Sequence, residues 1–225
     1  MEKINAIYKD TIQNNRTFRE MLKPAKERIR HRLPEDIVQK SGSVFRKENS
    51  VIVLQSLNQE IQITLPEYDF YPRIEEWHQL VILHYLDMED DMKVSTHIIP
   101  FGGLKNSMIR GTRFDHDTEK ELQVFLKGKT PERIRQICGT LGAEFSDSNA
   151  DLYAVFPFLP NYPIWLKIWF ADEEFEASGK FYLNKSADHY LTIEDAVTVG
   201  KILLSKMKTL EKEYCKNDND EKCKI

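Results

Sequence analysis

The stretch PIWLKIWFADEEFEASGKFY, residues 163–182, predicts an apolar β-strand that ends in a run of carboxylates and turns into a second strand. From Ile164 to Phe170 the side chains alternate between two sets, a period of two residues that is typical of a strand. Both sets are bulky, which favours a strand inside a sheet covered on both sides or a strand with one face lining a pocket.

Two groups in this stretch could contact a ligand. Lys167 shares its strand face with Trp165 and Trp169, an arrangement that can hold an anion or a planar ligand beside aromatic rings. The alternative is a lysine that extends past a packed face to water. Asp172 and Glu174 belong to three consecutive acids that could act as acid and base or bind a hard cation. Their alternative is a solvated turn.

A second candidate element is STHIIPFGGLKNSMIRGTR, residues 95–113. Gly102 and Gly103 permit a tight turn in which backbone amides approach a ligand, and Arg110 and Arg113 follow, so the element could bind a carboxylate or phosphate. It matches neither a P-loop nor a dinucleotide-binding pattern. The alternative is a hairpin turn whose arginines pair with acids of the protein.

These stretches carry a resemblance to a known family. The segment WFADEEFEASGKFYLNKSADHYLTIEDA, with DLYAVFPFLPNYPIWLKIW before it and FGGLKNSMIRGTRFD upstream, resembles the uncharacterised family domain of unknown function 3786. The family pattern is filled here by Gly102, Gly103, Asp151, Pro157, Trp169, residues 172–175, Ala177 and residues 191–195. Ala150 departs from it, because the family tends to have Gly there. The resemblance covers residues 41–204 and implies an origin in anaerobic bacteria or archaea but no activity.

Length and cysteine content limit the class of protein. A chain of 225 residues can bury a large core without a disulfide framework or a structural metal. Cys138, Cys215 and Cys223 form no Cys-x-x-Cys pair, which favours the reducing cytosol. The first ten residues lack the pattern of a signal peptide, and no apolar run reaches the roughly 18 residues of a spanning helix. We therefore expect a cytoplasmic protein with no membrane partner.

Charge is distributed unevenly around a net value of −4. Residues 1–48 hold twelve Lys or Arg against seven Asp or Glu, which leaves nine net negative charges for the remainder. A basic stripe of Arg19, Lys23, Lys26 and Arg30 could hold phosphates, but it is more typical of the solvated face of an amphipathic helix. Since no aromatic interleaving or nucleic-acid motif accompanies it, we expect no nucleic-acid partner.

The pattern of elements predicts an α+β fold. Residues 43–66 read as a three-stranded meander with turns at 48–50 and 57–59. With the late strands it is expected to form a largely antiparallel sheet covered by helices. Capping motifs predict four helix starts: Thr17, Thr118, Thr130 and Thr192.

The predicted organisation has three parts. These are a helical, basic N-terminal segment (1–40), a single α+β domain (41–210) and a polar, frayed tail (211–225). In the first part a short helix at residues 5–12 precedes a longer one that is kinked or broken near Pro24.

Together these features favour a protein that binds a small anionic or cofactor-like ligand between the Gly-Gly/Arg element and the acidic strand end. The distinguishing feature would be Arg110 or Arg113 meeting Asp172 or Glu174 in one cleft. The alternative is an interaction or accessory module without chemistry, of an anaerobic redox or cofactor pathway, with an exposed apolar patch.

The sequence does not decide whether the protein is an enzyme, because no nucleophile–base pair stands out and no catalytic residue is assigned. The histidines and cysteines lack chelating spacing, so no metal site is expected. The identity of any cofactor and the oligomeric state are not determined at this level.

Overall fold

The computed structural model of the chain describes residues 2–88 and 92–222, with no side-chain description at 2–15 and 218–222. Cys223 and the end of the predicted tail lie outside the described residues. The helices are α1 (Glu2–Arg30), α2 (Pro34–Ser41), α3 (Glu76–Leu86), α4 (Arg110–Leu126), α5 (Pro131–Thr140) and α6 (Ile193–Lys222). The strands are β1 (Val44–Arg46), β2 (Val51–Ser56), β3 (Gln59–Thr64), β4 (Asp69–Tyr71), β5 (Ile98–Ile99), β6 (Glu144–Phe145), β7 (Leu152–Leu159), β8 (Tyr162–Trp169) and β9 (Ser178–Asn184).

The strands form two antiparallel sheets, so the predicted α+β class is confirmed. One sheet has the order β1-β2-β3-β4 and the other the order β5-β9-β8-β7-β6. The expectation that the early meander joins the late strands in one sheet was wrong, because each set forms a separate sheet. In the described part of the chain, no helix has the length and apolar character needed to cross a membrane.

The residues group into two compact units. One comprises Met1–Leu54 with Ile61–Asp91, and the other comprises Gln55–Glu60 with Met92–Ile225. The four-stranded sheet lies mainly in the first unit and the five-stranded sheet in the second. The division of the chain after residues 40 and 210 stays a prediction.

The predicted meander forms three strands of the four-stranded sheet, β1, β2 and β3, and its turns fall where the sequence places them. A 3₁₀ turn spans Lys47–Asn49, and Ser50 and Leu57 have positive φ angles of 51° and 55°. A fourth strand, β4, pairs with β3 and was not predicted, since three residues are too few to show an alternating pattern.

Helix α1 runs without a break through Pro24, which corrects the prediction of two helices. Proline removes one hydrogen bond of the helix. Ala25 and Ile29 are both buried on the following turns, and such packing supplies most of the stability of a helix in a protein.

Two of the four residues of the basic stripe on α1 make hydrogen bonds within the first unit. Lys26 Nζ donates to the Glu67 carbonyl at 2.8 Å, and Arg30 Nε donates to the Pro66 carbonyl at 3.2 Å. These two cations therefore tie the helix to the connection between β3 and β4.

The second unit is built on the five-stranded sheet, whose strands alternate between a buried face and a partly exposed face. The core residues of the three long strands are Leu152, Ala154, Phe156, Ile164, Leu166, Ile168, Phe181 and Leu183. Tyr153, Trp165, Lys167 and Tyr182 lie on the other face and are partly exposed. Helix α4 packs on the buried face, where Leu122 and Leu126 approach Gly179 so closely that a Cβ there would lie 3.4 Å from each.

Helix α6 extends through most of the segment for which the sequence predicts a frayed tail. Tyr214 gives the reason, because it contacts α5. Its hydroxyl shares a 2.6 Å hydrogen bond with Thr140 Oγ1, and the Arg133 guanidinium lies 5.2 Å from its ring centre. On α5 itself, Cys138 is fully buried, and burial raises the pKa of its thiol to about 12.

Candidate functional site

The backbone amides of the Gly-Gly element are engaged by the protein itself. Phe101 N–H donates to Asp115 Oδ1 at 3.0 Å, and Gly102 N–H donates to Asp115 Oδ2 at 2.8 Å. Gly103 N–H donates to the Pro100 carbonyl at 2.9 Å. The role of Gly102 and Gly103 as ligand-binding residues therefore stays a prediction, and their amides hold the loop to α4.

The glycines around this junction serve close packing. A Cβ at Gly111 would overlap the Phe101 carbonyl, and one at Gly200 on α6 would overlap the Phe114 ring. Helix α4 begins at Arg110, eight residues before the predicted start at Thr118. The prediction was wrong because glycine disfavours helix interiors, whereas here Gly111 is the residue that allows the loop to approach the helix.

The early start of α4 places Arg110 and Arg113 in its first turn, next to α6. Arg110 Nε donates to Glu194 Oε2 of α6 at 2.9 Å. Arg113 makes only a loose ion pair, with its Nε 3.7 Å from Asp117 Oδ2. Both arginines line a cleft of about 380 Å³ between α4 and α6, which we call the α4–α6 cleft.

Two ion pairs bridge the helices along this cleft. Arg110 pairs with Glu194, and Lys208 Nζ lies 2.5 Å from Glu121 Oε2. The partners advance in the same direction on both helices, so α4 and α6 run parallel with their N-termini at one end. Eleven residues separate Arg110 from Glu121, which at the helical rise of about 1.5 Å per residue is about 16 Å.

The interior of the cleft combines an apolar floor with charge. Phe114, Val197 and Leu204 form the buried floor. Lys201 of α6 also lines the cleft, is exposed, and has no hydrogen-bond or ion-pair partner among the described residues. In total the lining contains four cationic side chains and two carboxylates, so the cleft has a net positive charge.

Sequence reasoning missed Lys201 and Lys208. Their spacing of seven residues places them on one side of α6, and that periodicity was readable. Which side of α6 faces α4 was not readable, because it depends on the packing of Gly200 against Phe114.

Lys167 and Trp169 lie on the partly exposed face of the sheet and bind a neighbouring loop. Lys167 Nζ donates to Asn149 Oδ1 at 3.0 Å, and Trp169 Nε1 donates to the Asn149 carbonyl at 3.2 Å. The rings beside the Lys167 ammonium belong to Tyr153 and Tyr182 of the adjacent strands, at 5.4 and 5.8 Å from their centres. The sequence prediction named Trp165 and Trp169 as its walls, because cross-strand neighbours cannot be identified within a single strand.

Asp172 stabilises the turn in which it lies. Its Oδ1 accepts hydrogen bonds from Glu174 N–H at 2.8 Å and Phe175 N–H at 2.7 Å. These bonds hold the pKa of the Asp172 carboxyl below its ordinary value. Glu174 is exposed, and the residues lining the α4–α6 cleft include neither acid, so the expected meeting of the arginines with these carboxylates does not occur in this cleft.

Metal-ligating side chains are dispersed in the part of the chain that the structure describes. There, no group of three or more His, Cys, Asp or Glu side chains is placed so that it could hold a metal ion.

Comparison with known families matches residues 34–206 to the family described as domain of unknown function (DUF3786). The match covers more than half of the 225 residues, so the chain belongs to this family and the resemblance seen in the sequence is confirmed. The matched region contains all of α4 and the part of α6 up to residue 206. No curated protein and no solved structure matches the chain.

Proposed function

We propose that the protein binds a small multivalent anion in the α4–α6 cleft. The observation that carries this proposal is the excess of cationic side chains, four against two carboxylates, around a concave space of about 380 Å³. That volume lies within the range of about 300–1,000 Å³ typical of small-molecule sites.

The two central cations are the ones that we assign to the anion. Lys201 has no partner among the described residues, and Arg113 is held only by the 3.7 Å contact with Asp117. Arg110 uses its Nε for Glu194 and can still donate from its terminal nitrogens. The parallel helices add to this field, since the partial positive charge of each N-terminus lies at the same end of the cleft.

The chemistry of the floor narrows the ligand class. Phe114, Val197 and Leu204 offer an apolar surface below the charged rim. An anion with an aromatic or apolar body, of the size of a nucleotide cofactor, would bury that body on the floor and place its phosphates or carboxylates at the rim. A cytoplasmic location is part of the proposal and rests on the cysteine content.

Calorimetric titration with two probes, inorganic pyrophosphate and adenosine monophosphate, tests the proposal. We expect the wild type to bind at least one of them, with affinity that falls as salt is raised. Lys201→Gln and Arg113→Gln should each weaken binding by about tenfold or more, because a charge-assisted hydrogen bond is lost.

The matched control is Lys120→Gln. Lys120 is an exposed lysine of α4 without a partner among the described residues, and it does not line the cleft. Binding that is equally weakened in all three variants would indicate a nonspecific charge effect. Binding that is unchanged in both cleft variants, or absent in the wild type for both probes, would contradict the proposed site.

A second candidate function, an interaction module without chemistry, is favoured by a separate observation. Met108 and Ile109, just before α4, are 80% and 86% exposed. Adjacent large apolar side chains at such exposure are a feature of contact surfaces rather than of a ligand pocket.

A further inference from the structure

The most exposed apolar side chains of the described residues lie at the two ends of one helix. Ile109, Met108 and Val124 are 86%, 80% and 76% exposed, the three highest values among the large hydrophobic side chains described. The first two precede α4, and Val124 lies near its C-terminal end. Phe175, in the turn that follows β8, is 70% exposed.

The charges beside these apolar groups differ in sign. Lys105 is exposed and unpaired among the described residues, and with Met108 and Ile109 it forms what we call the basic tip. Glu173, Glu174 and Phe175 are exposed and form what we call the acidic tip.

The acidic tip has a fixed backbone. Asp172 Oδ1 accepts the N–H groups of Glu174 and Phe175, and Asp172 N–H donates to the Phe175 carbonyl at 3.0 Å. The backbone that carries the exposed Phe175 side chain is therefore already ordered, which lowers the entropic cost of binding and favours Phe175 as an anchor for a partner.

The position of both tips follows from α4. Gln123 Nε2 donates to Glu176 Oε2 at 2.9 Å, which holds the acidic tip beside the C-terminal part of the helix. The basic tip directly precedes Arg110. Thirteen residues separate Arg110 from Gln123, so the tips are about 20 Å apart along the helix axis.

We propose that a second copy of this chain docks against α4 about a twofold axis, with the two α4 helices antiparallel. Each basic tip then contacts the acidic tip of the other copy, and the two identical contacts close the assembly as a dimer. Lysine faces glutamate across each contact, and Ile109 packs against Phe175, so apolar anchors and charge complementarity coincide. None of these tip residues lines the α4–α6 cleft, so the inference does not depend on anion binding.

Light scattering after size-exclusion chromatography measures the mass directly. The wild type should have twice the chain mass of 26.5 kDa. Ile109→Ser and Phe175→Ser should each reduce the mass twofold, to that of a monomer. The control is Tyr71→Ser, because Tyr71 is also 70% exposed but belongs to the other compact unit, and this variant should stay dimeric.

A charge exchange tests the pairing of the tips. Lys105→Glu and Glu174→Lys should each be monomeric alone, because like charges meet at both contacts. An equimolar mixture of the two variants should return to the dimer mass, since each contact of the mixed dimer again pairs a lysine with a glutamate.

Three results would overturn the inference. They are a monomeric wild type, a wild-type mass above that of a dimer, and a mixture of the charge variants that stays monomeric. Thermal unfolding by circular dichroism identifies any variant that fails to fold. For such a variant, Ile109→Ala or Phe175→Ala replaces the serine substitution and should give the same loss of mass.

Discussion

Asp115 and Asp172 make the same kind of hydrogen bonds, one in a buried and the other in an exposed position. Each carboxylate accepts two backbone N–H groups, Asp115 from Phe101 and Gly102, and Asp172 from Glu174 and Phe175. Asp115 is buried, and burial raises the pKa of its carboxyl above the ordinary value of 3.8. Asp172 is exposed, so the hydrogen bonds dominate and lower the pKa of its carboxyl.

The difference shows that burial can reverse the pKa shift of a carboxylate that accepts two backbone N–H groups. Desolvation disfavours the charged form of an acid, whereas hydrogen bonds to the carboxylate favour it, and the balance sets the direction of the pKa shift. At the junction of the Gly-Gly loop with α4 the carboxylate is part of a packed core. In the turn after β8 it fixes a surface loop that presents Phe175.

The largest expected effect comes from the close packing of the buried region. Gly111→Ala would place a Cβ against the Phe101 carbonyl, a backbone group that cannot rotate away, so the loop would move off Asp115. Overpacking of this kind costs about 3 kcal/mol, which at this chain length lowers Tm by roughly 6–12 °C. Thermal unfolding measures it.

Gly139→Ala is the control for that change. A Cβ at Gly139 of α5 has no neighbour within 4 Å, so the better helix propensity of alanine should stabilise the protein by about 0.5–1 kcal/mol. If Gly111→Ala were as stable as Gly139→Ala, this result would contradict the close packing of the Phe101 carbonyl against α4 at Gly111.

An intermediate effect is expected for Asp115→Asn. The amide can accept only one of the two N–H groups and turns its own donor toward the other, which costs about 1–2 kcal/mol. A carboxyl with a raised pKa stabilises the fold fully below its unfolded value, and this contribution is lost as pH rises through the folded pKa. The stability advantage of the wild type over the variant should therefore shrink as pH rises from below 3.8.

Denaturant unfolding of both proteins across acidic and neutral pH checks this direction. A wild-type advantage that grows with rising pH would mean that hydrogen bonding, not burial, dominates at Asp115. The pKa of its carboxyl would then be lowered, as at Asp172.

The smallest effect is expected for Asp172→Asn, in the exposed turn. A carboxyl with a lowered pKa contributes stability above its ordinary value of 3.8, and that contribution is lost as pH falls through the folded pKa. Asp172→Asn should lower Tm by less than Asp115→Asn does. The fall should be seen at pH values above 3.8 and should disappear as the pH drops below the folded pKa of the Asp172 carboxyl. The affinity of the variant for pyrophosphate should equal that of the wild type. A weaker affinity would indicate that Asp172 is part of the binding site.

Local signals in the sequence were sufficient for several elements. The turns of the early meander, the start of α5 at Thr130 and the start of α6 at Thr192 depend on residues a few positions apart. In the structure Thr130 Oγ1 accepts Arg133 N–H at 3.3 Å, and Thr192 Oγ1 accepts Asp195 N–H at 3.2 Å. Family membership was equally readable, because a motif is a property of the chain itself.

For the candidate site, the sequence determined which chemical groups were present but not which of them meet. Arg110 and Arg113 were identified as cations that could bind an anion, whereas their neighbours Lys201 and Lys208 are some ninety residues away in the chain. Only the packing of α4 on α6, through Gly200 and Phe114, brings the four together.

The sequence by itself determined the fold class, the order of most elements and the charged residue types at the candidate sites. The tertiary structure decided the separation of the strands into two sheets, the start of α4 at Arg110 and the partners of each polar group. The physical reason is range: capping and alternation act within a few residues, while burial and ion pairing depend on segments that meet only in the folded chain. Asp115 and Asp172 illustrate this, since both are acids in the sequence and only their surroundings give the pKa of one carboxyl an upward shift and that of the other a downward shift.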